Sequence, residues 1–65
     1  MNRWIVVTWR GTFIFNGNEH YRSKEVTAKD VREATKLLTE YFESMLAIGF
    51  TLKDKGDVEV RNYGD

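Results

Sequence analysis

Few side chains in this 65-residue chain could do chemistry, and histidine is the first to consider. The single histidine, His20, follows an Asn-Gly pair that predicts a hairpin turn, so we expect it at the surface near a hairpin tip. Its neighbour Glu19 would point to the opposite face of the same strand, which argues against a shared metal site. Because a residue at a hairpin tip is poorly held, the sequence predicts no catalytic role for His20.

Acidic side chains on a predicted helix are the second candidates. Glu40 and Glu43 are three residues apart and therefore share a helix face. Lys36 precedes Glu40 by four residues, and the group lies opposite the apolar stripe, as expected for a solvated helix face. The chain has no cysteine and its glycines are scattered over separate turns. We therefore expect no catalytic residue, no metal site, no cofactor and no enzymatic activity.

The length limits the chain to one small domain, residues 1–65. Such a chain buries only about 60% of the surface that its unfolded form exposes, so dense packing or self-association must stabilise it. Ten basic and ten acidic residues cancel, which argues against a general polyanion binder. No apolar run is long enough to span a membrane and no signal-peptide pattern opens the chain, so we expect no membrane partner and a cytoplasmic location.

Residues 3–27 have the composition of a β-hairpin. β-branched and aromatic residues dominate positions 3–15 and predict a strand. Gly11 interrupts this strand, and there we expect a bulge or bend. Asn16 and Gly17 predict a tight turn because both residues accept positive φ, and the return strand should cover residues 19–27.

The apolar period changes to that of an amphipathic helix from residue 31 onward. Asp30 is the predicted N-cap, with Glu33 completing a capping box, and Thr27 offers an alternative start one turn earlier. Gly49 should end the helix. The predicted apolar stripe comprises Val31, Ala34, Leu37, Leu38, Tyr41, Phe42, Met45 and Leu46.

The C-terminal segment alternates at residues 50–52 and again at residues 58–61, with turn-like residues 54–57 between them. It forms either one return strand or a second hairpin. The sequence thus predicts an α+β fold, an antiparallel sheet packed on one amphipathic helix, with the order ββαβ or ββαββ.

The first strand is apolar on both faces, whereas one helix can cover only one face of a small sheet. The spare face would be covered by another chain or form an exposed patch, unless a small core uses all these side chains. The two faces carry Ile5, Val7 and Trp9 on one side and Trp4, Val6 and Thr8 on the other.

We interpret the spare face and the hairpin arm as a contact surface, because interfaces are rich in aromatic residues and Arg. This predicts a non-enzymatic protein-interaction module with a protein partner of unknown identity, acting as a homodimer or on a larger protein. The alternative is single-stranded nucleic-acid binding, since aromatic and basic residues alternate in a hairpin region of net positive charge. The predicted partner-binding residues are Trp4, Val6, Thr8, Arg10, Phe13, Phe15, Tyr21 and Arg22.

The segment AKDVREA at residues 28–34, followed by Leu37, resembles the helix start of short ββαβ proteins encoded by phages and mobile elements. The bacteriophage T7 inhibitor of host RNA polymerase is one of these, and Gly49 and Phe50 after the helix are similar to it as well. The resemblance covers roughly a third of the chain. It implies a ββαβ fold and a phage-encoded inhibitor or adaptor in the cytoplasm of the host cell. It transfers no site residue, because the hairpin sequences differ.

Overall fold

The computed structural model describes residues 4–63, which form a four-stranded antiparallel sheet packed on one helix. The predicted α+β class is confirmed, and of the two predicted orders the structure shows ββαββ. The elements in chain order are β1 (Trp4–Phe15), β2 (Asn18–Ala28), α1 (Val31–Ala47), β3 (Thr51–Leu52) and β4 (Asp57–Tyr63).

The predicted hairpin turn is confirmed at Asn16 and Gly17, which have φ of 52° and 76°. The bulge predicted at Gly11 is wrong, because β1 and β2 pair in one continuous register from Ile5 opposite Ala28 to Phe15 opposite Asn18. Glycine is required at position 11 for a different reason: a Cβ atom there would lie 2.3 Å from Cζ2 of Trp9, whose indole covers the site.

Strands β3 and β4 both pair antiparallel with β1, along the edge that β2 leaves free. The interpretation of the tail as a second hairpin is therefore wrong, since the two strands follow one another along β1. Between β3 and β4, the four residues 53–56 loop out opposite only two residues of β1. Because the tail has an even number of extra residues, its side chains keep the same alternation between the two faces of the sheet. Val58 and Val60 consequently lie opposite Trp9 and Val7 and share their face.

The helix ends follow the predicted capping signals. The Asp30 carboxylate accepts a hydrogen bond of 2.8 Å from the backbone N–H of Glu33, and the Glu33 carboxylate accepts one of 2.8 Å from the backbone N–H of Lys29. The alternative start at Thr27 is excluded, because Thr27 belongs to β2. Gly49 follows the helix with φ of 102° and donates its N–H to the carbonyl of Leu46.

The core lies between α1 and the odd-numbered side chains of β1. Trp9 and Phe13 are its largest fully buried side chains, and the ring of Phe42 approaches the Trp9 indole edge-on at 4.9 Å between centroids. The helix packs over β2 and β1 rather than over β4. The two ends of the predicted apolar stripe, Val31 and Leu46, therefore remain exposed. The buried core comprises Val7, Trp9, Phe13, Val26, Ala28, Ala34 and Leu38.

Candidate protein-interaction site

The sheet has one face packed on α1 and one open face without a helix. The strand register brings five of the eight predicted partner-binding residues together on the open face. The other three do not join them, because Phe13, Phe15 and Arg22 have the register of the helix-facing side. The five open-face residues are Trp4, Val6, Thr8, Arg10 and Tyr21.

The prediction that Val6 and Thr8 form an exposed patch on the open face is wrong, because each is only 7% exposed. Arg61 lies opposite Val6 on β4, and Glu25 lies opposite Thr8 on β2. Their side chains meet across β1 with 3.2 Å between the Arg61 guanidinium and the Glu25 carboxylate. The two long side chains thus cover the strand between them, which sequence alternation alone does not reveal.

A second ion pair crosses the open face near the hairpin tip. The Lys53 ammonium donates a hydrogen bond of 2.6 Å to the Glu19 carboxylate, joining the β3 side of the sheet to β2. This hydrogen bond and the negative charge of Glu19 raise the pKa of Lys53 above its ordinary value. With the weaker pair between Arg10 and Glu59, 3.8 Å apart, charged side chains bridge the open face at three places.

The three aromatic residues Phe13, Phe15 and Tyr21, predicted to bind a partner, do not share one surface. Phe13 is fully buried and therefore contributes no surface to a partner in the folded state. Phe15 is half-buried and stacks on Phe50 at 4.5 Å between ring centroids. Tyr21 lies on the opposite face and is 75% exposed, because it pairs with Thr12 rather than with a phenylalanine.

His20 is not the exposed tip residue that the sequence predicts. It lies opposite Phe13 on the helix-facing side and is half-buried, with its ring edge-on to those of Phe15 and Phe50 at 6.1 and 5.6 Å. Its Nε2 atom is buried and has no hydrogen-bond partner among the described residues. His20 therefore packs its ring against the aromatic side chains of Phe15 and Phe50.

An apolar groove that the sequence analysis missed lies between α1 and β4, and we call it the edge groove. Its volume is about 260 Å³. Val7, Trp9 and Leu38 form its buried floor, while Val31 at the helix start and Val58 with Val60 on β4 form exposed rims. The three rim valines are 61%, 59% and 51% exposed.

The position of the helix explains why the edge groove exists. Because α1 packs over β2 and β1, the helix-facing side chains of β4 lack a full covering layer. The alternation at residues 58–61 predicts a strand, but no sequence signal shows that the helix would leave this strand uncovered. β4 is also a sheet edge, since β1 is its only paired strand in the described part of the chain.

The connection at residues 53–56 fixes one end of the edge groove. The Trp9 indole N–H donates a hydrogen bond of 2.9 Å to the backbone carbonyl of Lys55. Gly56 lies so close that a Cβ atom would be 2.4 Å from the carbonyl oxygen of Arg10 and 2.8 Å from Nε1 of Trp9. The buried indole thus holds the chain just before β4 begins.

The lining of the edge groove is mostly apolar. Its polar lining is limited to Thr35, Thr39 and Lys55. Within residues 4–63, no three side chains of the metal-ligating types lie close enough together to hold an ion. What the site offers is an apolar depression beside an unpaired strand edge.

Comparison of the chain with protein-family models, with characterised protein sequences and with solved structures returns no match. In the described part of the chain, α1 falls short of the length and apolar character that a membrane-crossing helix needs.

Proposed function

We propose that this chain is a non-enzymatic protein-interaction module, a small inhibitor or adaptor of phage type that works in the cytoplasm by binding a larger protein. Its contact surface is the edge groove together with the free edge of β4. The observation that carries the proposal is that three exposed valines lie beside the unpaired edge of β4.

A strand edge and an apolar groove together match a known mode of peptide recognition. An extended segment that adds to a sheet edge gains main-chain hydrogen bonds, and its alternate side chains enter pockets beside the edge. Here Val58 and Val60 project on the groove side of that edge, beside the buried floor. A partner strand would therefore place one or two apolar side chains against them.

The size of the edge groove favours a protein side chain over a small-molecule ligand. Typical small-molecule sites hold about 300–1,000 Å³ and carry several convergent polar groups. The edge groove is smaller, at about 260 Å³, and its walls are mostly aliphatic. It is suited to a Val, Leu or Phe side chain presented by an extended backbone.

The test is capture of partners from a bacterial lysate with the immobilised chain and the Val58→Lys variant. Val58 is exposed, so the variant should fold, and a lysine there directs a charge at an added strand. We expect a specific protein that the original chain retains and Val58→Lys releases.

The matched control is Thr27→Lys, an exposed position on the other edge strand, β2. It adds the same charge to the chain and should retain the partner. Equal retention by Val58→Lys and the original chain would place the contact elsewhere.

Single-stranded nucleic-acid binding is the second candidate, and one depression on the hairpin favours it. Arg10, Tyr21, Arg22 and Ser23 line a shallow depression of about 360 Å³ around Gly11. The exposed Tyr21 ring offers a base a stacking surface, and Arg10 on the same face would meet a phosphate.

This candidate is tested by titrating a fluorescent oligothymidylate at low and at high salt. If it is right, Tyr21→Ala weakens binding at both salt concentrations, and added salt weakens binding of the original chain. The control Tyr41→Phe keeps a ring at a half-buried position on the other side of the sheet and should leave binding unchanged. Absence of binding at low salt removes the candidate.

A further inference from the structure

We propose that the occupant of the β4 edge is a second copy of this chain, paired antiparallel through β4 about a two-fold axis at Val60. This inference rests on the proposed function only because both use the β4 edge and the edge groove as the contact surface. A larger partner that uses this edge would then have to displace the second copy.

The geometry of such a pair brings like surfaces together. A two-fold axis perpendicular to the sheet keeps both helices on one side, so the helix-facing side chains of the two β4 strands form one continuous strip. Val60 lies opposite Val60 of the second copy, with Val58 beside it on each side. Val58 and Val60 of both copies thus become contacts in one interface, and the unpaired strand edge is removed.

The charges on the open face of β4 favour a second copy as the occupant. Glu59 and Arg61 flank Val60 and lie on the same face by register. In a pair centred on Val60, Glu59 of each copy lies directly opposite Arg61 of the other. Opposite charges at such positions stabilise a strand pair, whereas like charges destabilise it.

The alternative self-pairing centred on Glu59 is disfavoured by the same rule. It would set Glu59 directly opposite Glu59 of the second copy at the centre of the interface. The charges already present allow the Val60-centred pair to form. Arg61 contacts Glu25 through Nη2, which leaves other guanidinium donors able to bond. Glu59 forms an ion pair with Arg10 at 3.8 Å without a hydrogen bond, so its carboxylate can still accept one from the second copy.

The test combines light scattering with two single-cysteine variants of a chain that contains no cysteine. Light scattering on purified protein should give twice the 7.6 kDa chain mass at high concentration. Val60→Cys should form a disulfide-linked dimer with diamide, because directly opposite residues are about 4.5–5.5 Å apart between Cα atoms.

Val58→Cys is the matched control, since Val58 and Val60 are similarly exposed on one strand. In the Val60-centred pair the two residues at position 58 lie about 13 Å apart, four strand residues, and should not link. Val60→Lys should give a folded monomer, with circular dichroism as the check of folding.

Three results would overturn the inference: a monomer at every concentration, equal linking of both cysteine variants, or a dimer that survives Val60→Lys. None of these decides the proposed function, because the purified protein is tested without any other partner. Loss of lysate capture in Val58→Lys can hold or fail independently of them.

Discussion

The two edge strands of this sheet are protected to different degrees. On β2, Lys24 projects on the helix-facing side, with its ammonium 5.5 Å from the centroid of the Tyr41 ring, and Arg22 donates a hydrogen bond to the backbone carbonyl of Tyr21. On β4, the corresponding helix-facing side chains are the exposed Val58 and Val60. The helix covers the first strand and leaves the second largely uncovered.

This difference indicates at which edge of the sheet a partner strand can add. Inward-pointing charges and a covering helix are the devices by which proteins block pairing at a sheet edge. β2 has both, so an added strand there would meet a lysine and the helix. β4 has neither on its helix-facing side, and an added strand would meet apolar surface.

The largest effect is expected from Gly56→Ala, which should weaken the pairing of β4 with β1. Gly56 has φ of 73°, and its Cβ would lie 2.4 Å from the carbonyl oxygen of Arg10. The left-handed backbone and the clash together should cost about 3 kcal/mol of unfolding free energy. Urea unfolding followed by Trp fluorescence measures it.

Gly17→Ala is the matched control on the β2 side. Gly17 has a similar φ of 76°, but nothing lies within 4 Å of a Cβ atom there. It should cost only about 1 kcal/mol, the strain of the left-handed conformation. Equal losses in the two variants would show that the close approach of residue 56 to the core contributes nothing.

The next effect is expected from Trp9→Phe, which should loosen β4 more than β2. The change removes the hydrogen bond from the indole to the Lys55 carbonyl and part of the buried ring volume, at about 2 kcal/mol in total. Amide hydrogen exchange should show a larger loss of protection in residues 57–62 than in residues 19–27. Uniform loss over both strands would contradict a separate role for this contact.

Much of the fold could be predicted from local signals. The Asn16-Gly17 turn, the Asp30 cap and the helix end at Gly49 are each set by neighbouring residues, and the structure confirms all three. The pairing of the two tail strands could not be predicted, because it depends on which edge of β1 residues 51–63 reach. Gly11 was misinterpreted because the indole that requires it belongs to a residue two positions away on the same strand.

The candidate site was harder to predict than the fold. The alternation in β1 correctly placed apolar residues on both faces, but the long side chains of Glu25 and Arg61 cover the second face from neighbouring strands. The edge groove depends on the lateral position of the helix over the sheet, which the apolar stripe alone does not fix. Both outcomes arise from contacts between residues far apart in the chain.

Lys24→Val should have a smaller effect on stability but should open the β2 edge to pairing. It removes a cation–π contact worth about 0.5–1 kcal/mol and takes away the inward charge that blocks the β2 edge. Light scattering should show association beyond that of the original chain, through β2. Lys36→Val, an exposed helix residue, is the control and should leave the mass unchanged. No added association in Lys24→Val would show that the covering helix alone protects β2.

The smallest effect concerns the Glu19–Lys53 ion pair, which ties the two sides of the sheet together across β1. Because Glu19 raises the pKa of Lys53, the folded state holds this proton more tightly than the unfolded state does. The contribution to stability is therefore complete below the ordinary lysine pKa of 10.5 and disappears as the pH rises through the folded-state value. Both side chains are about half exposed, so the contribution is small and screened by salt. Thermal melts of the original chain and Lys53→Met should differ at pH 9 and converge as the pH rises through the folded-state pKa of Lys53, whereas Lys36→Met should match the original chain throughout. A pH-independent difference for Lys53→Met would mean that its alkyl chain, not its charge, joins the two edges.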